Sequence, residues 1–263
     1  MSSIGVFDSG VGGLTVVAAL RRRLPGESIL YLGDTARLPY GTKSADTVVR
    51  YTQRNLAFLA SRGVKAIVVA CNTASALALD RVETSLPVWG VIEPGAQEAA
   101  RVSSGSVGIL ATETTIRSGA YPRALSRIRP ELEVQGKACP LFVPLVEEGW
   151  EDDPVTFEIA RRYLDPLLES GVDTMVLGCT HYPLLEPTIR RVTGSRIQLV
   201  SSAEEAAAHV AEDLARLGLR ENSTDAAGEA RVDLCMTDSA SRFESMARRI
   251  LGELETPPEH VNV

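Results

Sequence analysis

Two stretches of this sequence share one pattern: Ile67-Val-Val-Ala-Cys-Asn-Thr73 and Met175-Val-Leu-Gly-Cys-Thr-His181. Each is a short apolar run that ends in a small residue, a cysteine and two polar residues, and each precedes a helix candidate. Such a run before a helix is typical of a strand buried in a parallel sheet. Because these sheets bind ligands at the carboxyl ends of their strands, both cysteines are predicted to lie at a ligand-binding edge.

The same alternation of strand and helix extends through most of the chain. We predict strands at Ile4–Phe7, Ser28–Leu32, Ala66–Ala70, Val88–Ile92, Ser106–Leu110, Val134–Ala138, Thr174–Leu177 and Arg196–Val200. We predict helices at Leu14–Arg23, Ser44–Arg62, Thr73–Thr84, Thr115–Ser126, Val155–Glu169 and Ala203–Leu217. Nearly continuous apolar strands joined by helices indicate an α/β fold with mainly parallel sheets flanked by helices.

The repeated cysteine motif suggests two similar halves. Two pseudo-symmetric α/β lobes would bring both cysteines to one cleft between them, although the buried strands of any α/β protein look alike. A boundary is expected near Glu93–Gln97, and the last strand-helix unit, Val232–Leu251, has no obvious partner in the second half. The predicted lobes are therefore residues 1–95 with about 207–263, and residues 96–206.

Composition argues against several classes of protein. The 263 residues carry 27 basic and 34 acidic side chains, a net charge of −7, so the chain lacks the positive surface that wraps nucleic acid. Apolar runs such as Ala66–Cys71 are much shorter than the ~20 residues of a membrane span. The amino terminus lacks the basic and long apolar regions of a signal peptide. We expect a cytoplasmic protein with no nucleic-acid or membrane partner.

The four cysteines are expected to be free thiols in a reducing compartment. Cys139 and Cys235 have apolar neighbours and are interpreted as core packing. Cys71 and Cys179 follow buried strands and precede helices, whose amino ends favour a thiolate. Taken alone, Cys71 is more often a small core residue, but His181, one of three histidines, follows Cys179 by two positions and can exchange a proton with it.

A metal centre and a hydrolase are two alternatives for these residues. Asp8, Cys71, Cys179 and His181 would supply four zinc ligands if the two lobes meet. No Cys-x-x-Cys or His-x-x-x-His pair forms half of such a site in advance, so we predict no metal. A cysteine hydrolase needs one nucleophile, one histidine and an orienting partner, which leaves the second strand-end cysteine without a role.

Two polar loops are further candidates for a site. Phe7-Asp-Ser-Gly-Val-Gly-Gly13 enters a helix through a glycine-rich turn that suits a phosphate or carboxylate, or simply a structural turn. It does not match the dinucleotide fingerprint. In the loop Gly33–Lys43, the ring of Tyr40 and the backbone amide of Gly41 are able to cover a small ligand, whereas Asp34 suits either a site or a turn.

Two threonines offer hydroxyl groups in the second half of the chain. Thr112 and Thr115 come just after the predicted strand Ser106–Leu110, a position suited to hydrogen-bonding a carboxylate. Thr115 is equally suited to capping the helix that follows.

Six blocks of the chain together resemble the cofactor-independent glutamate racemases of bacterial wall synthesis. They are Val6–Gly13, Gly33–Arg37 with Pro39–Gly41, Val69–Ser75, Gly90–Pro94, Leu141–Glu148 and Leu177–Leu184. They occur in the family's order over roughly the first 185 residues, and this order is far more specific than any single block. One departure is Ala111, where the family more often has glycine.

The resemblance implies a role for each candidate residue. Cys71 and Cys179 would be the acid/base thiols on opposite faces of the substrate α-carbon. Asp8 would support Cys71, and His181 with Glu147 would support Cys179. The substrate's amino and carboxylate groups would be held by Asp8, Ser9, Tyr40, Gly41, Asn72, Thr73, Thr112, Thr115, Thr180 and His181.

The resemblance further implies two α/β lobes with the site between them, and racemisation of L-glutamate and D-glutamate that supplies D-glutamate for peptidoglycan. It implies no pyridoxal phosphate, nucleotide or metal, and a homodimer. Two identical residues suit such an inversion, because each is the base in one direction and the acid in the other. An aspartate or other amino-acid racemase of the same superfamily, or a non-catalytic carboxylate-binding protein, remains an alternative.

Overall fold

A computed structural model describes residues 2–221, 230–238 and 240–263. Within these residues the strands form two parallel sheets. The first sheet, in the order β10-β9-β2-β1-β3-β4, contains β1 (Ile4–Asp8), β2 (Ile29–Gly33), β3 (Ala66–Val69), β4 (Val88–Gly90), β9 (Val232–Met236) and β10 (Glu259–His260). The second, in the order β6-β5-β7-β8, contains β5 (Ser106–Ala111), β6 (Glu133–Ala138), β7 (Thr174–Gly178) and β8 (Gln198–Ser201).

Helices connect and cover these strands. The described helices are α1 (Leu14–Arg23), α2 (Ala45–Ser61), α3 (Asn72–Ala78), α4 (Ile92–Val102), α5 (Glu113–Ser118), α6 (Ala120–Ile128), α7 (Phe142–Glu147), α8 (Pro154–Glu169), α9 (Glu186–Thr193), α10 (Ser202–Arg216) and α11 (Ala240–Leu251). Short 3-10 helices lie at Thr35–Arg37, Tyr40–Thr42, Leu79–Arg81 and Tyr182–Leu185. No helix of the described residues is long and apolar enough to cross a membrane.

The apolar runs of the sequence become the buried centres of the two sheets. Every residue of β1, β3 and β7 is buried, because helices pack on both faces of the central strands. This arrangement confirms the α/β prediction with mainly parallel sheets flanked by helices. The strands that carry the repeated motif, β3 and β7, both lie inside their sheets, so Cys71 and Cys179 follow central strands.

The strand predicted before α4 and the helix predicted after β5 are wrong in their limits. The strand predicted at Val88–Ile92 ends at Gly90, and Ile92 begins α4. Pro94 does not prevent this helix, because it lies in the first turn, where the N–H that proline lacks is not needed. The helix predicted at Thr115–Ser126 is broken into α5 and α6 at Gly119. Gly119 has a φ of +65°, the left-handed conformation that commonly ends a helix.

Three helices are absent from the sequence prediction, and one is shorter than predicted. Helices α4, α7 and α9 have 11, 6 and 8 residues. The shorter two give too few turns for a clear hydrophobic period. The helix predicted at Thr73–Thr84 ends at Ala78 and continues only as the 3-10 turn Leu79–Arg81.

The last strand-helix unit joins the first sheet. Strand β9 pairs in parallel with β2, from Ile29 opposite Val232 to Gly33 opposite Met236. The predicted lobe limits, at residues 95 and about 207, fall inside α4 and α10, and α10 packs against α1 and α4. We retain the division into residues 1–95 with about 207–263, and 96–206, as a proposal.

Candidate active site

A cavity of about 310 Å³ opens where strands of both sheets end. Its lining residues follow β1, β2 and β3 of the first sheet and β5, β6 and β7 of the second. Both cysteines of the repeated motif, Cys71 and Cys179, line it and are 5% and 6% exposed. A volume at the lower end of ligand pockets, roughly 300–1,000 Å³, suits a small ligand.

Cys71 lies at the amino end of α3. Its Sγ accepts a hydrogen bond from the backbone N–H of Ala74 at 3.4 Å and lies 3.5 Å from Ser9 Oγ, to which the thiol donates. Burial raises the pKa of Cys71 to about 12, and the charge of Asp8 acts in the same direction. At neutral pH, Cys71 is therefore a neutral thiol that is able to deliver a proton.

Asp8 lies behind the cavity wall. Its Oδ2 accepts a hydrogen bond from the Gly10 N–H at 2.9 Å, whereas its buried Oδ1 has no hydrogen-bond partner within the described part of the chain. Burial raises the pKa of this carboxyl group. Asp8 is absent from the cavity lining, so its position fits the expected support of Cys71 better than direct contact with a substrate.

Cys179 belongs to a chain of three groups with His181 and Glu147. The Sγ of Cys179 is 4.0 Å from His181 Nδ1, and His181 Nε2 is 3.1 Å from Glu147 Oε1. Burial lowers the pKa of His181, but its hydrogen bonds with Cys179 and Glu147 outweigh burial and raise that pKa to about 10. The bond to His181 also lowers the pKa of Glu147. At neutral pH, the pair is therefore an imidazolium and a carboxylate, and the imidazolium lies next to the Cys179 sulfur.

The loop after β1 and the first turn of α1 pack directly on this second cysteine motif. Thr15 Oγ1 donates a hydrogen bond to the carbonyl of Thr180 at 2.9 Å. A Cβ at Gly12 would lie 2.4 Å from both Thr180 Oγ1 and His181 Nδ1, so only glycine fits at this position without displacing them. The sequence indicated Gly12 only as a turn residue, because its contact lies on the other half of the chain.

Three threonine hydroxyl groups form a triangle beside the cavity. Thr73 Oγ1 is 3.1 Å from Thr112 Oγ1 and 3.2 Å from Thr115 Oγ1, and the last two are 2.9 Å apart. Thr73 and Thr112 line the cavity, whereas Thr115 lies behind them. Hydroxyl groups rotate to donate or accept, so the two lining threonines are suited to a carboxylate.

Three other candidates line the cavity in different ways. Tyr40 is 1% exposed, and its hydroxyl group donates to Asp34 Oδ2 at 2.6 Å, so it is engaged by the protein. Gly41 contributes backbone to the lining. Asn72 donates from Nδ2 to the Tyr121 hydroxyl at 2.9 Å, and its buried Oδ1 has no hydrogen-bond partner among the described residues.

Sequence reasoning did not single out the apolar residues of the lining as site residues. They are Leu38, Pro39, Pro140, Val143 and Pro144. Apolar side chains carry no recognisable chemical signal, although Pro39, Val143 and Pro144 lie within the blocks of the family resemblance. Among the described residues, no group of three or more His, Cys, Asp or Glu side chains is arranged to hold a metal ion.

Glu147→Gln is expected to lower the pKa of His181 from about 10 toward its ordinary value of 6.5, because a carboxylate that raises it is removed. An NMR titration of the histidine rings measures this shift, and the chain has only three histidines. Glu148→Gln is the matched control, since Glu148 pairs with Arg242 instead. An unchanged His181 titration in Glu147→Gln would contradict the assigned interaction between Glu147 and His181.

The same substitution gives a pH-dependent difference in stability. The raised pKa of His181 contributes stability that is complete below about pH 6.5 and is lost as the pH rises toward about 10. The lowered pKa of Glu147 contributes stability that is complete above its ordinary value of 4.5 and is lost as the pH falls. Both contributions are complete only between about pH 4.5 and pH 6.5. The difference in unfolding free energy between the wild type and Glu147→Gln should therefore be largest in this pH range.

Comparisons with known proteins identify the family of this chain. A family model described as Asp/Glu/Hydantoin racemase matches residues 14–210. A glutamate racemase from Geobacter metallireducens is 58% identical over 215 residues, 81% of this chain and 80% of the relative. The crystal structure of a Bacillus anthracis glutamate racemase isoform has a TM-score of 0.94 at 40% identity and covers 100% of this chain and 98% of that chain.

Two further structures define how far the likeness extends. Glutamate racemase from Francisella tularensis, in complex with D-glutamate, has a TM-score of 0.91 at 34% identity, with 99% of this chain and 97% of that chain covered. The aspartate racemase of Picrophilus torridus, 17% identical with a TM-score of 0.60 over 82% of this chain and 95% of that one, shares the fold. The family model and these identities show that the chain belongs to the aspartate/glutamate/hydantoin racemase family.

Proposed function

We propose that this protein interconverts L-glutamate and D-glutamate by two-base proton transfer, without an organic cofactor or a metal. One observation carries the proposal: Cys71 and Cys179, from equivalent positions on two sheets, line the same cavity. The similar proteins named glutamate racemase support the choice of substrate. None of the three lysines lines the cavity, and a pyridoxal enzyme needs a lysine for its Schiff base.

The proposed reaction transfers one proton at each face of the α-carbon. One cysteine, as thiolate, takes the α-proton and becomes a thiol, and the electron pair of the C–H bond passes into the substrate's α-carboxylate as an enediolate. The opposite cysteine, as thiol, then gives its proton to the other face and becomes a thiolate. Protons balance over the turnover, and the two cysteines exchange protonation states.

The two cysteines have different surroundings, which suits different starting roles. Burial raises the pKa of Cys71 to about 12, which suits a starting role as the acid. Cys179 instead lies beside the His181–Glu147 pair. The family resemblance implies that Cys179 is the base toward L-glutamate and Cys71 the base toward D-glutamate.

The enediolate requires donors that are in place before the proton leaves. Ser9, Thr73, Thr112 and Thr180 place hydroxyl groups on the cavity lining. Preorganised neutral donors stabilise the developing charge in a site that excludes water. They do so without a fixed positive charge that would bind the ground state equally well, which would not help turnover.

Conversion of L-glutamate in heavy water tests the proposal. After exhaustive dialysis with a chelator, D-glutamate should form, and early product should carry deuterium at the α-carbon while the remaining L-glutamate stays largely protiated. Mass spectrometry after chiral separation measures both species. A failure to form D-glutamate would overturn the proposed substrate, and product that retains the original hydrogen would indicate one shuttling base instead of two cysteines.

We further propose that the D-glutamate supplies peptidoglycan synthesis in the cytoplasm and that the protein is a homodimer. A substrate enclosed between two lobes must enter and leave, so the lobes are expected to open. Light scattering measures the stoichiometry, and a fully active monomer would contradict an obligatory dimer.

A further inference from the structure

Asp34 is a completely buried carboxyl group that does not line the cavity. It comes directly after β2 and is 0% exposed. Its backbone N–H donates to the carbonyl of Asp8 at 3.0 Å, so the chain at Asp34 is fixed to the end of β1. A buried carboxylate is costly unless several donors satisfy it, and the donors around Asp34 show what it holds in place.

Donors from three parts of the chain converge on Asp34. Oδ2 accepts from the Tyr40 hydroxyl at 2.6 Å and from Asn55 Nδ2, on α2, at 3.2 Å. Oδ1 accepts from Thr237 Oγ1, just after β9, at 3.0 Å. Arg37 lies 3.2 Å from both oxygens and supplies the opposite charge. The carboxyl group therefore ties α2 and the end of β9 to its own loop.

The loop held by Asp34 is part of the substrate cavity. Tyr40 and Gly41 lie on its lining, and the Tyr40 ring packs at 6.1 Å from Phe7 and 5.7 Å from Tyr51, centroid to centroid. The carbonyl of Gly41 accepts a hydrogen bond from Oγ1 of Thr114, which lies on α5, directly after β5 of the second sheet. The Asp34 carboxyl group is thus hydrogen-bonded to a loop that lines the cavity and that also contacts the other half of the molecule.

The segment after β9 fixes the same loop from outside. Thr237 uses its one hydroxyl group twice, donating to Asp34 Oδ1 and accepting from the Ala36 N–H at 2.9 Å. Its own N–H donates to the carbonyl of Gly33 at 3.1 Å. Arg37 also reaches the carbonyl of Val263. The last part of the chain, remote from the cysteines in sequence, therefore contributes to the geometry of the cavity.

We propose that Asp34 is a positioning residue for substrate binding, which acts through Tyr40 and is itself oriented by Thr237. The proposal rests on the proposed glutamate racemase function only for its kinetic readout. Asp34 touches neither cysteine, so its loss should weaken substrate binding more than it slows proton transfer. The Michaelis constant should rise, while kcat changes little.

Asp173 offers a matched control in the second sheet, at the amino end of β7 and therefore at the end of the sheet away from the cavity. It precedes β7 and accepts hydrogen bonds from Ser103, Ser104, Ser106 and Thr174. Like Asp34, it is a carboxyl group that collects several donors, but it lies at the amino end of the strand, away from the cavity. Asp173→Asn should lower the melting temperature and leave KM unchanged.

The test compares Asp34→Asn with Thr237→Val and Thr237→Ser. Hydrogen bonds to a charged group predict a KM increase of about tenfold for Asp34→Asn and severalfold for Thr237→Val. Thr237→Ser keeps the hydroxyl group and should restore a wild-type KM. In parallel, hydrogen exchange of a peptide covering residues 34–43 should be faster in Thr237→Val than in Thr237→Ser or in the wild type.

The two readouts separate this inference from the proposed function. If the wild type does not racemise glutamate, hydrogen exchange still decides whether Asp34 and Thr237 hold the loop. A wild-type KM and wild-type exchange in Thr237→Val would overturn the inference. A folded Asp34→Asn that loses only stability, as Asp173→Asn should, would also overturn it.

Discussion

Cys71→Ser and Cys179→Ser are each expected to reduce racemisation by about 10³-fold or more, at the upper end of general acid–base contributions. A serine hydroxyl group is far less acidic than a thiol, so neither variant regains the missing base. Inversion needs both partners, and the double variant should therefore be little slower than either single one. Chiral chromatography of both reaction directions measures the loss.

The two single variants should differ in the glutamate enantiomer whose α-hydrogen they still exchange with heavy water. If Cys179 is the base toward L-glutamate, Cys71→Ser should retain slow exchange of the α-hydrogen of L-glutamate with heavy water, without inversion. Cys179→Ser should retain exchange only for D-glutamate. The reverse pattern would exchange the roles of the two cysteines, and exchange of both enantiomers by one variant would refute the two-base assignment.

Cys139→Ser is the matched control for these substitutions. Cys139 is buried and its thiol donates to the carbonyl of Lys137 at 3.5 Å, but it does not line the cavity. We expect a modest fall in melting temperature with unchanged kcat. Cys235, also buried, contacts Arg62 and Glu259 at 3.7 Å and should behave in the same way. A loss of activity at an unchanged melting temperature would contradict the packing role of either cysteine.

Gly12→Ala is expected to reduce racemisation by about 10²-fold, the loss that a displacement of about 1 Å causes in a catalytic group. The new Cβ would lie 2.4 Å from His181 Nδ1 and Thr180 Oγ1, and both residues are buried, so the imidazole must move. Overpacking of this kind also costs about 1–3 kcal/mol of stability. Exchange of the L-glutamate α-hydrogen should fall most, because His181 serves Cys179.

Gly105→Ala is the control for Gly12→Ala. A Cβ at Gly105 meets nothing within 4 Å, so this variant should keep the wild-type rate and stability. The pKa of His181, followed by NMR, should fall in Gly12→Ala as the imidazole leaves Glu147. Full activity of Gly12→Ala, with an unshifted His181 titration, would show that the β1–α1 loop does not hold His181 in position between Cys179 and Glu147.

Local pattern alone was sufficient for the architecture. Apolar runs with helical segments between them predict buried parallel strands, because only strands covered on both faces are apolar throughout. The carboxyl ends of such strands meet at one edge of the sheet, so the pattern also placed Cys71 and Cys179 at the ends of β3 and β7, whereas their roles rest on the family resemblance. Helix limits were less determined, as the break at Gly119 shows.

The tertiary structure decided which polar groups face the cavity and which support it from behind. Asp8 and Thr115 lie behind the wall, and the Tyr40 hydroxyl group turns to Asp34. Glu147 meets His181, 34 residues later, because α7 and the loop after β7 pack together. Sequence periodicity determines secondary structure locally, whereas the direction of a loop side chain depends on burial and hydrogen-bond partners from distant segments. For that reason, the supporting roles of Gly12, Asp34 and Thr237 emerge only once the two sheets and the last strand are assembled.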